Sequence, residues 1–290
     1  MKFFVLFIAV LNIFVDSTPL DDYVNNFDSY YSYNIIQQYK LVNNEIYVIN
    51  MTSQKWLDES LVDRPVWWHY LTISIPNKVS RKDAALLWIG EGSNKDKVPT
   101  PTDYDISLVS NFSLSTYTVA AIIQQIPNQP LVFKEDERGR KRSEDALIAW
   151  GWKKFIENTA EPTFLLRFPM VKAVSKAMDT IQIFVKENYK IEIKKFMLAG
   201  KSKRGWTTWL NAALDSQRVF SAVPIVMDLL NLNTGLHQNF KAIGGWTFAF
   251  NDYYEVNITQ YIDSRELFEM QKMIDPLCRI FFIRLCLFQC

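Results

Sequence analysis

Apolar residues in the first half of the chain form short runs that are typical of β-strands. Residues 67–76 are β-branched and aromatic and end in a proline, which predicts a strand. Residues 84–89 are uniformly apolar, as expected for an interior strand that is covered on both faces. Shorter strands are predicted over residues 116–123 and 131–133, and residues 23–54 are predicted to be extended.

The second half alternates helical and strand patterns. Ser143, followed by two acidic residues, is predicted to cap a helix. A longer helix is predicted to begin near Pro169, because apolar residues then recur at three- and four-residue spacing: Val171, Val174, Met178, Ile181 and Val185. Apolar runs over residues 196–199 and 222–226 predict two further strands. This alternation predicts an α/β fold with a largely parallel sheet and flanking helices.

The segment LAGKSKRGWTTWL, residues 198–210, contains a Gly-Lys-Ser tripeptide that two motifs share. A phosphate-binding P-loop requires a glycine five residues before Gly200, where this chain has Lys195. A nucleophile elbow requires a buried strand, a sharp turn around a serine and an immediate helix. Residues 196–199 supply the strand, and residues 206–214 have a helical pattern.

The elbow interpretation therefore fits better, with Ser202 flanked by Gly200 and Gly205. One irregularity is Arg204, which occupies the place of the second glycine of G-x-S-x-G. A simple connection between a strand and a helix remains the alternative.

If Ser202 is a nucleophile, the backbone N–H of Lys203 faces the position of the developing oxyanion. A second donor is expected from the loop after residues 84–89, which contains Gly90, Glu91 and Gly92. An ordinary turn explains that loop equally well.

A serine nucleophile also needs a general base that is oriented by a carboxylate. The only histidine after Ser202 is His237, and Asp228 is the nearest acid at a strand end. Both are weak candidates, because the catalytic histidine of proteins with a nucleophile elbow normally lies later in the chain. His69 lies within a predicted strand and is expected to be packed. Lys201 and Arg204, on either side of Ser202, are expected either to meet an anionic group of a substrate or to pair with nearby acidic side chains.

Composition indicates a folded globular protein without a charge-driven partner. Apolar residues make up 49% of the 290 positions, and 32 basic residues nearly balance 31 acidic ones. Nucleic-acid binding is therefore not expected. The chain has only two histidines, His69 and His237, and its three cysteines all lie within positions 278–290. No cluster has the spacing of metal ligands, so no metal site and no cofactor are expected.

The N-terminus is typical of a secretory signal peptide, with Lys2 before an apolar run and cleavage expected after Ser17. The run is too short to span a membrane comfortably. Three glycosylation sequons follow, at Asn50, Asn111 and Asn257. We therefore expect a secreted glycoprotein.

Four consecutive segments resemble the PhoPQ-activated pathogenicity-related protein family and its autocrine proliferation repressor branch: residues 143–156, 168–185, 199–210 and 223–233. The resemblance covers about residues 65–276. It implies an α/β-hydrolase fold, an elbow serine at Ser202 and secretion.

The resemblance ends near residue 277, and the segment CRIFFIRLCLFQC follows. Family members continue through strands that are expected to carry the acid and histidine of the triad. We therefore expect a signal peptide (1–17), a hydrolase-like domain incomplete before its last strands (18–277) and a divergent tail (278–290).

Two functional hypotheses remain. One is an extracellular signal that restrains proliferation through a cell-surface receptor or a secreted partner. The other is a secreted serine hydrolase of an ester or amide, with Ser202 as nucleophile and activity impaired by truncation. A truncated product without function is a third possibility.

Overall fold

The computed structural model describes residues 17–227 and 230–282. Its centre is a seven-stranded mixed sheet, and the strands are β1 (Ser32–Lys40), β2 (Asn44–Lys55), β3 (Val66–Pro76), β4 (Arg81–Ile89), β5 (Thr118–Ile123), β6 (Lys195–Lys201) and β7 (Val219–Ile225). The helices are α1 (Pro19–Asn25), α2 (Tyr104–Thr116), α3 (Asp145–Glu157), α4 (Arg167–Tyr189), α5 (Lys203–Leu214), α6 (Leu232–Ile243), α7 (Asn251–Glu255) and α8 (Arg265–Ile274).

The sheet has the order β1-β2-β3-β5-β4-β6-β7. Strand β2 pairs antiparallel with β1 on one side and with β3 on the other, and β3 also pairs antiparallel with β5. Strands β5, β4, β6 and β7 are parallel. The predicted α/β architecture is confirmed, and its parallel part positions the site because the carboxyl ends of parallel strands meet at one edge.

Alternate residues of the central strands face two separate clusters of buried side chains. On β5, Ala121 and Ile123 join the larger cluster, which includes residues of α3, α4 and α5, whereas Ile122 joins the smaller cluster beneath α2. On β4, Leu87 faces the larger cluster and Leu86 the smaller one. Both faces are therefore covered, which explains why residues 84–89 of β4 and 119–123 of β5 are uniformly apolar.

Several local predictions differ from the structure. Residues 131 and 133 form only isolated bridges rather than a strand of the sheet. Helix α3 has Glu144 rather than Ser143 at its N-cap, without a capping side-chain hydrogen bond. Helix α2 has no counterpart in the predictions, because its sequence SLVSNFSLST is rich in serine and lacks a clear apolar stripe.

The segment Pro276–Phe282 contacts the first helix of the described chain. Arg279 donates hydrogen bonds to Thr18 Oγ1 (2.7 Å) and to Asp21 Oδ1 (2.5 Å), at the capped N-terminus of α1. Most of the predicted signal peptide (1–16) and most of the tail (283–290) lie outside the described residues. In the part that the structure describes, no helix is long and apolar enough to cross a membrane.

Candidate active site

Ser202 occupies a strained turn between β6 and α5. Its backbone has φ 53° and ψ −121°, a conformation that residues other than glycine rarely adopt. Two hydrogen bonds hold the turn: the Ser202 N–H donates to Ile225 O (2.8 Å), and the Trp206 N–H donates to Ser202 O (3.1 Å). This strand–turn–helix geometry is the geometry of a nucleophile elbow.

Gly200 and Gly205 allow this turn because neither position has room for a side chain. A Cβ on Gly200 would lie 2.8 Å from backbone atoms of Arg204. A Cβ on Gly205 would lie 2.9 Å from Met227 Cβ and 3.1 Å from Gly200 O. The glycine that the elbow motif places two residues after the serine is thus supplied three residues after it.

Ser202 lies in the wall of a cavity of about 220 Å³. The remaining wall is mainly apolar and aromatic: Trp152, Trp206, Met227, Leu232, Leu236, Trp246, Ala249, Phe250, Tyr253, Ile258, Thr259 and Ile262, with Asp145, Arg167 and Lys203 as the charged members. The residues after β7, from α6 to the turn before α8, provide most of the apolar side. A partly buried serine at an apolar cavity is the arrangement of many ligand sites.

A network of charges fixes the start of α5. Arg204 is buried and donates two hydrogen bonds to the Glu144 carboxylate (2.5 and 2.9 Å) and one to Ile126 O (2.5 Å). Lys203 Nζ lies 2.8 Å from Asp145 Oδ2 and 3.2 Å from Glu144 Oε2. Arg204 therefore pairs with acidic side chains, one of the two alternatives that its sequence position left open.

Glu144 is ionised because of these contacts. Burial raises the pKa of its carboxyl, but the hydrogen bonds and charge of Arg204 outweigh burial and lower the pKa to about 2. Its backbone is also strained, with φ 53° and ψ −125°. Glu144 thus joins α3 to α5 beside the elbow.

Arg167, the first residue of α4, is a charged member of the cavity wall. Its side chain is 1% exposed, and its guanidinium stacks over the ring of Trp206 at 4.1 Å. Nη1 donates to Lys203 O (3.0 Å). Burial lowers the pKa of Arg167 to about 10, which leaves the group charged at neutral pH.

Of the predicted oxyanion donors, Lys203 belongs to the cavity wall, whereas Gly90, Glu91 and Gly92 do not. Lys203 lies directly after Ser202 and contributes to the cavity wall. The Gly90 N–H donates to Ile123 O (2.7 Å), so this donor is engaged in the sheet. Glu91 Oε1 lies 3.8 Å from Arg204 Nη1, and Gly92 O accepts from Gln129 Nε2 (3.1 Å). Residues 90–92 follow β4, which neighbours the elbow strand, but do not belong to the wall that the described residues form.

The two histidines have different environments. His69 is buried, and its Nε2 lies 2.9 Å from Ser53 Oγ while Nδ1 lies 3.1 Å from Gln124 O. Burial lowers its pKa to about 4, so it is a packed neutral side chain, as expected. His237 Nε2 lies 2.7 Å from Asp263 Oδ1 on a more exposed surface. Asp228, the predicted acid, lies outside the described residues.

The three sequons occupy different surroundings. Asn111 on α2 is exposed, and so is Asn257, which directly precedes the short 3₁₀ helix Ile258–Gln260. Asn50 lies within β2, opposite Asn34 on one side and Tyr70 on the other, and is only partly exposed.

Sequence reasoning missed the charged and aromatic residues that complete the site. Arg167 could have been noticed because it is a single cation within the apolar segment Leu165–Leu166–Arg167–Phe168–Pro169. The sequence indicates Glu144 and Asp145 only as acidic residues at a helix start. Trp246, Phe250 and Tyr253 had no signal, since their spacing matches no regular element.

Comparison with known proteins identifies the relatives of this chain. The model of the family described as PhoPQ-activated pathogenicity-related protein matches residues 20–285. Autocrine proliferation repressor protein A of Dictyostelium discoideum is 39% identical over 277 residues, which are 95% of this chain and 54% of the relative. The chain therefore spans about half the length of this curated relative.

Solved structures show the fold. An acetyl xylan esterase from Paenibacillus sp. R4 superposes with a TM-score of 0.56 and 13% identity, over 92% of this chain and 74% of the esterase. Acetyl xylan esterase 1 from Thermoanaerobacterium sp. gives 0.54 and 15%, over 89% and 73%. These esterases have the α/β-hydrolase fold, and the mixed sheet described above is that fold.

Proposed function

The chain belongs to the PhoPQ-activated pathogenicity-related protein family, and we propose that it is a secreted acyl hydrolase in which Ser202 is the nucleophile. The observation that supports this most directly is the elbow. A strained serine, two glycines without room for a Cβ and a cavity in front of the serine occur together. Esters are the preferred substrate class, because the two structural relatives are named esterases.

The Lys203 N–H is the oxyanion donor that we propose, with the second donor drawn from Glu91 or Gly92. During attack on a carbonyl carbon, the bond from Ser202 Oγ forms and the carbonyl oxygen becomes an anion. Backbone N–H groups beside the serine stabilise that anion.

The general base that we propose is His237, oriented by Asp263. Asp263 Oδ1 lies 2.7 Å from Nε2 of His237, which holds the imidazole and leaves Nδ1 to take the proton of Ser202. In the usual Ser-His-Asp triad the carboxylate contacts Nδ1 and Nε2 is the base, so the two ring nitrogens exchange roles in this proposal. Both residues directly follow residues of the cavity wall, Leu236 and Ile262. The hydroxyl proton of Ser202 would pass to the imidazole and then to the leaving alcohol.

The first test is covalent labelling of the folded chain with a fluorophosphonate. We expect a single adduct on Ser202, its loss in Ser202→Ala, and an unchanged adduct in Ser107→Ala, a control on α2 away from the cavity. His237→Gln is expected to slow labelling by about 10²-fold or more. An unlabelled Ser202 in folded protein would exclude the hydrolase proposal, and labelling unaffected by His237→Gln would exclude this base.

A second candidate function is extracellular control of proliferation, which rests on the name of the relative that is 39% identical. In this alternative the protein binds a cell-surface receptor or a secreted partner. The predicted signal peptide and sequons fit the same destination.

The two functions are separable with one pair of proteins. Purified wild type and Ser202→Ala would be added to growing cells over a range of doses. Inhibition of growth by both supports signalling without catalysis, and inhibition by the wild type alone connects signalling to the hydrolase. No inhibition at any dose would contradict the signalling role.

A further inference from the structure

Arg167 is a buried cation whose hydrogen-bonding capacity is only partly used. Nη1 contacts Lys203 O at 3.0 Å and Met170 Sδ at 3.5 Å. Nε and Nη2 are buried and have no hydrogen-bond partner among the described residues. A buried charge that lacks a carboxylate is costly, so native proteins rarely retain one without a functional reason.

The neighbouring carboxylates are already committed to other cations. Glu144 accepts the two hydrogen bonds from Arg204, and Asp145 pairs with Lys203 and accepts from Tyr253 Oη (3.2 Å). Within 4 Å, Arg167 has no ion-pair partner in the described part of the chain. Among the charged residues of the cavity wall, Asp145 is paired with Lys203, and the positive charge of Arg167 has no carboxylate beside it among the described residues.

The two unpartnered atoms form one edge of the guanidinium. Nε–H and Nη2–H point in the same direction and match the two oxygens of a carboxylate. Arg142 uses this edge within the same protein: its Nε and Nη2 donate to Asp136 Oδ2 at 3.1 and 2.8 Å, while its guanidinium stacks on Trp150 at 4.3 Å. Arg167 has the same stacking, on Trp206, without the carboxylate.

We propose that the cavity binds a ligand with an apolar body and one carboxylate, which accepts hydrogen bonds from Nε and Nη2 of Arg167. Both atoms are buried, so binding includes a rotation of the guanidinium toward the ligand. The apolar body packs against Trp152, Trp246 and Phe250. The further step, that this ligand is the substrate and carries its carboxylate apart from the ester bond, rests on the proposed function. Binding itself does not.

The size and charge of the cavity favour a small apolar monocarboxylate as the ligand. An apolar cavity of about 150 Å³ binds benzene, so about 220 Å³ accommodates a substituted aromatic or short aliphatic acid. A single unpaired cation matches a carboxylate monoanion, whereas a phosphate monoester would leave an unpaired negative charge in the apolar site.

The test compares phenylacetate with phenylacetamide by titration calorimetry on the full chain. We expect the wild type to bind phenylacetate about ten- to hundredfold more tightly, the effect of charge-assisted hydrogen bonds. Arg167→Gln is expected to bind both ligands equally weakly. Arg142→Gln is the matched control, since it removes a buried, stacked arginine elsewhere, and it is expected to keep the preference.

Several results would overturn the proposal: no binding of phenylacetate at millimolar concentration, equal binding of acid and amide, or a preference that survives in Arg167→Gln. Tighter binding of phenyl phosphate would also overturn it. If Arg167→Gln does not fold, the comparison of the two ligands on the wild type alone decides the outcome.

This experiment separates the binding site from the hydrolase. Labelling of Ser202 without preference for the carboxylate leaves the proposed function and removes the inference. A preference without labelling keeps the carboxylate site and removes the hydrolase.

Discussion

Glu144 combines a strained backbone with the ion pair that fixes the elbow helix, so its titration affects stability at acidic pH. The pKa of its carboxyl is about 2 in the folded protein and 4.5 ordinarily. As the pH falls below about 4.5, the unfolded chain binds the proton first. The stabilisation from Glu144 is therefore present above about pH 4.5 and lost as the pH falls toward 2.

We expect Glu144→Gln to lower the free energy of unfolding by about 3 kcal/mol near neutral pH, because the buried Arg204 loses its carboxylate. The difference from wild type should shrink toward pH 3. Urea unfolding at neutral and acidic pH measures both effects. Glu137→Gln, an exposed control, should change neither, and a difference that is independent of pH would contradict this account.

At the level of elements, the β6–turn–α5 unit depends on the absence of a side chain at Gly205. Its Cβ would lie 3.1 Å from Gly200 O and 3.2 Å from Ile225 O, both backbone atoms that side-chain motion cannot move. We expect Gly205→Ala to destabilise the protein by about 1–3 kcal/mol and to reduce labelling of Ser202. Thermal unfolding and fluorophosphonate labelling measure these effects.

Gly235→Ala is the matched control for that substitution. Gly235 lies in α6, and a Cβ added there would have no neighbouring atom within 4 Å. Alanine there should stabilise the helix by about 0.5–1 kcal/mol. Full stability and full labelling in Gly205→Ala would show that the elbow can relax around a methyl group.

Helices and strands were predictable where burial on both faces, or a local sequence motif, determines the structure. Strands β4 and β6 are buried on both faces, and their apolar runs predict them directly. The elbow was predictable because Gly200, Ser202 and Gly205 lie close together in sequence. The opposite wall of the cavity, from α6 to Ile262, was not predictable, because tertiary packing brings its aromatic residues together from short, irregular segments.

Arg167 illustrates the same limit at long range. Its sequence neighbours predict burial, but apart from Met170 its partners are Lys203 and Trp206, which follow it by more than thirty-five positions. A single sequence does not show which cations lack a carboxylate. Only the arrangement of Glu144, Asp145, Lys203 and Arg204 reveals that Arg167 is the one left over.

For the whole molecule, the sequons provide a test of the secretory route. We expect carbohydrate on Asn111 and Asn257, which are exposed, and none on Asn50, whose strand is paired on both sides. Peptide mass spectrometry of the secreted protein, before and after enzymatic deglycosylation, measures occupancy. Asn111→Gln and Asn257→Gln serve as site controls, and carbohydrate on Asn50 would contradict the prediction.

The tryptophans of the cavity have an optical consequence. Trp152, Trp206 and Trp246 line the space in front of Ser202 and are three of the nine tryptophans in the chain. A ligand that displaces water there changes the polarity around three indoles at once. The intrinsic emission of the unlabelled protein should therefore shift in wavelength on binding, and occupancy of the cavity can be followed in real time by fluorescence.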